Sequence, residues 1–179
     1  MTERLKHLRH LNDHILERPG IERRNIAREA VRVVMLDEKK RVILMHVSQY
    51  GIYKLPGGGV REDEILAEAR KREIREETGC ELKKVVKLGI TTENRKGKAE
   101  GGMFQISHCY LAEAVPGRDQ KLTQKETDEG FSLHWADNID QAIELVKGST
   151  SERYDDRYIR VRDSTILETA KQYLESTNY

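Results

Sequence analysis

The chain has 179 residues, room for one domain with a sizeable core, and 37% of them are hydrophobic against 35% charged. Its 32 Lys and Arg nearly balance 31 Asp and Glu, so the overall charge favours neither a nucleic-acid partner nor a membrane surface. No apolar run is long enough to span a bilayer, and the first 20 residues carry three histidines and no apolar signal core; a cytoplasmic protein is the expectation.

In chain order, Leu5, Leu8, Leu11 and Ile15 predict an amphipathic helix over residues 2–17, ended by Pro19-Gly20. Its His7, His10 and His14 would share one helical side. Three imidazoles suit zinc, but a solvated or partner-facing surface accounts for them as well. The segment fits packing on the core or on a second subunit, so a homodimer stays open. Ala30 to Leu36 and Val42 to Val47, separated by Asp37-Glu38-Lys39-Lys40, read as an antiparallel hairpin. Ile52 to Leu55 is a short third strand, stopped by Pro56 and Gly57-Gly58-Gly59. Glu64 to Thr78 reads as a helix, with Asp63 as N-cap and Gly79 as its C-terminal stop.

Strands are predicted at Leu82 to Thr92 and Met103 to Ala114, then around Phe131 to Trp135 after a charged stretch from Gly117 to Glu129. Ile139 to Val146 and Thr165 to Leu174 have helical periodicity. The fold class expected is α/β, a mixed sheet with helices packed on it. The domain expected is a single one over 1–179, with an N-terminal helical extension (about 1–20) and a C-terminal helix (about 163–176). Cys80 and Cys109 read as small buried hydrophobes.

The chemistry lies between Gly58 and Cys80. At about 100° per residue, Glu73, Glu76 and Glu77 fall on one helical face. Ala67 and Ile74 point to a neighbouring sector that packs on a sheet, and Lys71 and Arg75 to solvent. Three carboxylates on one face repel one another unless a cation neutralises them. Magnesium takes oxygen ligands and leaves positions for waters and phosphates, and a Gly-rich turn lets backbone approach a ligand. A Glu-x-x-Glu-Glu cluster alone is usually a solvated face. The full spacing is another matter: Gly58, five residues, Glu64, seven residues, then Arg72-Glu73-Ile74-Arg75-Glu76-Glu77-Thr78-Gly79. It arises by chance at a given start on the order of once in 10⁸.

This segment resembles the Nudix box: Gly, five residues, Glu, seven residues, Arg-Glu-aliphatic-x-Glu-Glu-x-Gly-aliphatic. It departs only at Cys80, where an aliphatic residue is expected, and at Asp63, where many members have glycine. Looser likeness runs upstream through Ile52-Tyr53-Lys54-Leu55-Pro56 and downstream to Trp135. The resemblance implies a Nudix-type α/β/α sandwich and Mg²⁺-dependent hydrolysis, with Mn²⁺ as substitute. The bond cut would be the pyrophosphate of a nucleoside diphosphate linked to another moiety: a triphosphate, ADP-ribose, a nucleotide sugar or a dinucleotide.

Carried over residue by residue, the resemblance makes Glu73, Glu76 and Glu77 metal ligands, joined by the Gly57 backbone carbonyl. Glu64 would support the site through a hydrogen bond or a metal-bound water, and Arg72 would hold the catalytic carboxylates in place. The general base is either Glu77 or a carboxylate of the loop from Lys121 to Gly130, where Glu126 and Glu129 are the candidates beside Asp128. Glu93, Asn94 and Arg95, with Phe104 and Gln105, lie where substrate contacts are expected, although ordinary strand-end residues would look the same. The alternative reading is a non-catalytic Nudix domain acting as a nucleotide sensor or interaction module; such domains usually lose box glutamates, and here all are intact.

Overall fold

A computed structural model describes residues 6–11, 26–95 and 102–177. The elements are β1 (His7–Leu11), β2 (Ile26–Leu36), β3 (Val42–Val47), β4 (Ile52–Lys54), α1 (Leu66–Thr78), β5 (Glu81–Arg95), β6 (Met103–Val115), α2 (Gln124–Asp128), β7 (Phe131–Ala136), α3 (Ile139–Lys147) and α4 (Tyr154–Thr177). The strands form one mixed sheet in the order β1-β5-β6-β2-β3-β4, with β7 paired to β3. β1 runs parallel to β5 and β2 parallel to β6, while β5 and β6 are antiparallel.

Strand alternation decides which face each side chain takes. Val31, Val33 and Met35 of β2 and Ile43 of β3 pack with Ala69 and Ile74 of α1. Their neighbours Val34, Leu36, Val42 and Leu44 pack on the other face against Ala142 and Val146 of α3 and Ile166, Leu167 and Ala170 of α4. Because helices cover both faces, these strands read as continuous apolar runs. No helix among the described residues is long and apolar enough to cross a membrane.

Several expectations are corrected. Residues His7–Leu11 form a strand, not part of a helix; Leu11 is fully buried and the backbone pairs with β5. Lateral pairing along β5 outweighs the helical spacing of the leucines. A register shift between His7 and Arg9 lets both His7 and His10 reach the Thr92 hydroxyl, at 3.0 and 2.8 Å. His14 and Pro19-Gly20 lie outside the described residues. The hairpin of β2 and β3 pairs only at Leu36 and Val42. Beyond that point the β2 edge is taken by the Gly-rich turn: Val31 N–H donates to Gly58 O, Val33 N–H to Pro56 O, and Val60 N–H to Glu29 O.

Asp63 is not the N-cap of α1. Ile65 occupies that position, and the Glu68 carboxylate accepts its N–H at 3.4 Å. Ala69, not Ala67, is the buried alanine beside Ile74. Part of the supposed loop at Lys121 to Gly130 is the short helix α2, capped by Thr123. The C-terminal helix starts earlier than expected, at Tyr154. Cys80 and Cys109 are buried and free, and burial pushes the Cys109 thiol up to about 12.

Gly79 ends α1 as expected, at φ 70°. A Cβ there would stand 1.9 Å from Arg118 O, so the position needs both the left-handed backbone and the missing side chain. Gly79→Ala is expected to lower unfolding free energy by about 2 kcal/mol or more. Urea unfolding of the two proteins checks this, and equal midpoints would contradict it.

Candidate active site

Helix α1 sets its acidic face beside the Gly-rich turn, and Arg72 is the centre of the arrangement. Its Nε and Nη2 donate to the two oxygens of Glu64, each at 2.7 Å. Nη1 donates to Glu73 at 2.7 Å and to Glu76 at 3.3 Å, and Nη2 also reaches Gly59 O at 3.0 Å. One guanidinium thus ties three carboxylates and the turn together with charge-assisted bonds. The paired Arg72 holds the Glu64 carboxyl down at about 2. Burial pushes Glu73 up, and Glu77 adds to the shift.

Glu77 is buried and separately held. Its Oε2 accepts the Gly57 N–H at 2.6 Å, and Lys54 Nζ lies 3.3 Å from Oε1. Gly58 brings the turn against Glu73: a Cβ on it would come within 2.3 Å of Glu73 Oε2. The carbonyls left over at the end of α1 are met by the segment after β6. Arg118 N–H donates to Gly79 O and Lys121 N–H to Glu76 O, each at 2.7 Å, and the Gln120 amide donates to Glu77 O. These are the carbonyls a helix terminus cannot satisfy itself.

Glu64, Glu73, Glu76 and Glu77 are therefore gathered, with Arg72 and Lys54 as the cations within 3.5 Å of them. Carboxylates in excess of cations, all hard oxygen donors, suit Mg²⁺ or Mn²⁺. Among the described residues, no three His, Cys, Asp or Glu side chains stand arranged as a metal-binding group; each of these four carboxylates is turned onto a guanidinium, an ammonium or an N–H. A cation held here would have to compete with those partners for the carboxylate oxygens.

The two base candidates on the following segment are engaged elsewhere. Glu126 accepts from the Thr123 N–H and hydroxyl as the capping partner of α2. Glu129 is met by the Tyr50 hydroxyl at 3.5 Å and by Lys125 at 3.8 Å. Asp128 accepts from Gln124.

The residues expected to contact substrate divide between the faces of the sheet. Glu93, Arg95 and Gln105 are buried together on the α4 side, where Arg95 and Gln105 donate to Glu93 at 2.7 and 2.6 Å. Phe104, the next residue along β6, points to the opposite face by strand alternation and is half-buried. Asn94 accepts the Tyr158 hydroxyl on its backbone carbonyl at 2.8 Å.

The buried network also contains residues that sequence reasoning missed. Arg162 of α4 donates to Asp163 at 2.7 Å and to Glu93 at 3.5 Å, and Asp163 accepts the Leu55 N–H at 2.8 Å, immediately before the Pro56-Gly57 turn. Burial pushes Glu93 up, but Arg162 and Arg95 outweigh it and hold the carboxyl below its usual range. Burial and the like charge of Arg162 bring Arg32 down to about 10. An arginine inside the apolar run of β2, and an Arg-Asp pair inside the apolar periodicity of α4, were the available signals.

Arg162→Met would leave Glu93 and Asp163 buried without their shared guanidinium. Chemical denaturation is expected to show a loss of about 3–5 kcal/mol; a loss under about 1 kcal/mol would contradict the account of this network.

Known proteins resemble this chain in sequence and in fold. The NUDIX domain family model matches residues 27–151. The 8-oxo-dGDP phosphatase NUDT18 of Danio rerio is 30% identical over 110 residues, covering 60% of this chain and 31% of that protein. A CMP-5'-(N-acetyl-N-hydroxy-3-aminopropyl)phosphonate hydrolase of Streptomyces rubellomurinus is 30% identical over 138 residues, covering 75% of this chain and 58% of that protein. The chain thus spans 31% and 58% of the length of these curated relatives. Among solved structures, a NUDIX hydrolase from Nitrosomonas europaea shares the fold at a TM-score of 0.59 and 18% identity, over 82% of this chain and 90% of that one. The Mutator MutT protein from Bacillus halodurans does so at 0.54 and 23%, over 75% and 80%. With the family model running from β2 into the segment before α4, and the box folded as a turn and acidic helix, the chain belongs to the Nudix family.

Proposed function

We propose that this protein hydrolyses, with Mg²⁺ or Mn²⁺, the diphosphate bridge of a nucleoside diphosphate derivative. The observation that carries the reading is the complete box gathered in space: Glu64, Glu73 and Glu76 on one guanidinium, with Glu77 against the Gly57 N–H. The relatives' names support a nucleotide as substrate, since one acts on 8-oxo-dGDP and the other on a CMP-linked phosphonate.

Glu73, Glu76 and Glu77 would hold the cation, with the Gly57 carbonyl as a further donor. Bound there, it supplies neutralisation of diphosphate charge and activation of the attacking water. Arg72 keeps the carboxylates from drifting apart, and Glu64 fixes Arg72 by a two-pronged pair. A carboxylate takes the proton from the attacking water. A carboxylate of the box is the base this arrangement favours, because those side chains already lie at the turn, whereas Glu126 and Glu129 are held by α2 and by Tyr50 and Lys125. For either of those two to act, its segment must swing over the substrate. A phosphate monoester offers only one phosphorus to grip and should be a poor substrate.

Glu76→Gln and Glu77→Gln keep side-chain size and remove a charged ligand. Each is expected to lower kcat by about 10² or more on a diphosphate-linked nucleotide, while Glu126→Gln and Glu129→Gln stay near wild type. EDTA should stop turnover and added Mg²⁺ restore it. Steady-state kinetics on a panel of 8-oxo-dGDP, ADP-ribose, nucleotide sugars and triphosphates checks this. Full activity of both box variants, or full activity in chelator, would contradict the reading.

A further inference from the structure

Lys54 is the last residue of β4 and leads into the turn at Leu55, Pro56 and Gly57. Its side chain is 16% exposed, unlike a solvent-facing lysine, and its ammonium has two neighbours. One is Glu77 Oε1 at 3.3 Å; the other is the face of the Phe131 ring, 4.5 Å from the centroid. The second Glu77 oxygen is already taken by the Gly57 N–H at 2.6 Å. That donor belongs to the backbone of the turn and is fixed, whereas Lys54 carries its charge on a flexible four-carbon stem. A divalent cation that coordinates Glu77 through Oε1 would therefore stand close to the ammonium and repel it.

We propose that Lys54 is a placeholder cation for Glu77, which a divalent metal displaces and which then binds a phosphate oxygen of the substrate. The inference rests on the metal-site reading given above. Two like charges cannot share the same carboxylate oxygen closely without mutual repulsion. The Phe131 ring gives the displaced ammonium a second seat, by cation–π attraction, so that it stays beside the site. A diphosphate that shares the cation with Glu77 brings its own negative oxygens next to that seat. A lysine ammonium is a good point-charge partner for such an oxygen. The lysine thus exchanges one anion for another, Glu77 for phosphate, as metal and substrate arrive.

The alternative is a plain structural pair that pins β4 to α1. The two roles differ in whether the ammonium leaves Glu77 when metal binds. A lysine that only braces the site stays there, and its labelling does not move with Mg²⁺. A displaced lysine is released by the metal, and loss of its like charge also tightens metal binding. Lys54→Met keeps an apolar stem over Phe131 and removes the charge.

The metal-free full chain, wild type and Lys54→Met, is titrated with Mn²⁺, and free Mn²⁺ is followed by electron paramagnetic resonance. The variant is expected to bind Mn²⁺ at least about fivefold more tightly. Methylenediphosphonate, which cannot be hydrolysed at its bridge, should bind the Mn²⁺-loaded variant about tenfold more weakly than the loaded wild type. In wild type itself, Mg²⁺ should raise reductive methylation of Lys54, read by peptide mass spectrometry, and methylenediphosphonate added with Mg²⁺ should suppress it. Mn²⁺ affinity of the variant within twofold of wild type or weaker, or labelling unmoved by Mg²⁺ in a wild type that binds the metal, overturns the displacement. Unchanged diphosphonate affinity overturns the phosphate contact. A wild type with no saturable Mn²⁺ site overturns the metal-site reading itself, and that outcome is separate from the others.

Discussion

Glutamates spaced three and four residues apart on one helix repel one another, and in this chain Arg72 meets that repulsion from inside the cluster. It reaches Glu64 in the turn before α1, Glu73 and Glu76 on the helix, and the Gly59 carbonyl in the Gly-rich loop. The same contacts that offset the charge also fix the geometry between loop and helix. The loop in turn bonds to the edge of β2, where a further strand would otherwise lie. The acidic face is thereby referenced to the sheet through backbone bonds, and its position does not depend on flexible side chains alone.

The two sides of the sheet serve the site differently. The α1 side is an apolar packing layer in which Ala69 and Ile74 seat the helix. The α4 side mixes an apolar layer with buried ions, and Asp163 carries their influence to the Leu55 N–H at the start of the turn. Taking Glu93, Arg162 and Asp163 out of water is costly, and each is compensated by a direct partner. Helix α4 lies outside the family's box segment yet holds one end of the loop that carries it.

Local patterns made much of this legible in the sequence. The box fixes identity by spacing, so the helix, its buried Ile74, its solvent-facing Lys71 and Arg75, and the stop at Gly79 were all readable. The apolar runs of β2 and β3 were readable because helices cover both faces of the sheet there. What failed was set by distant partners. Leu5, Leu8 and Leu11 have helical spacing, but pairing with β5 makes His7–Leu11 a strand. The hairpin pattern of β2 and β3 gave no hint that the Gly-rich turn would take over the β2 edge. Glu93 and Gln105 read as substrate contacts or ordinary strand-end residues, and only the docking of α4 shows Arg162 on the Glu93 carboxylate, to which Gln105 also donates. Lys54 stood beside the box in the sequence without a signal, because its partner Glu77 is 23 positions away.

The central claim is that the acidic face of α1 holds a divalent cation next to a diphosphate. The most direct measurement is anomalous diffraction from crystals grown with Mn²⁺ and a nucleoside diphosphate analogue that cannot be cleaved. The account predicts an anomalous peak about 2.1–2.3 Å from carboxylate oxygens of Glu73, Glu76 and Glu77, shared with the diphosphate. A peak at other residues, or bound analogue with no metal between it and this face, would contradict it.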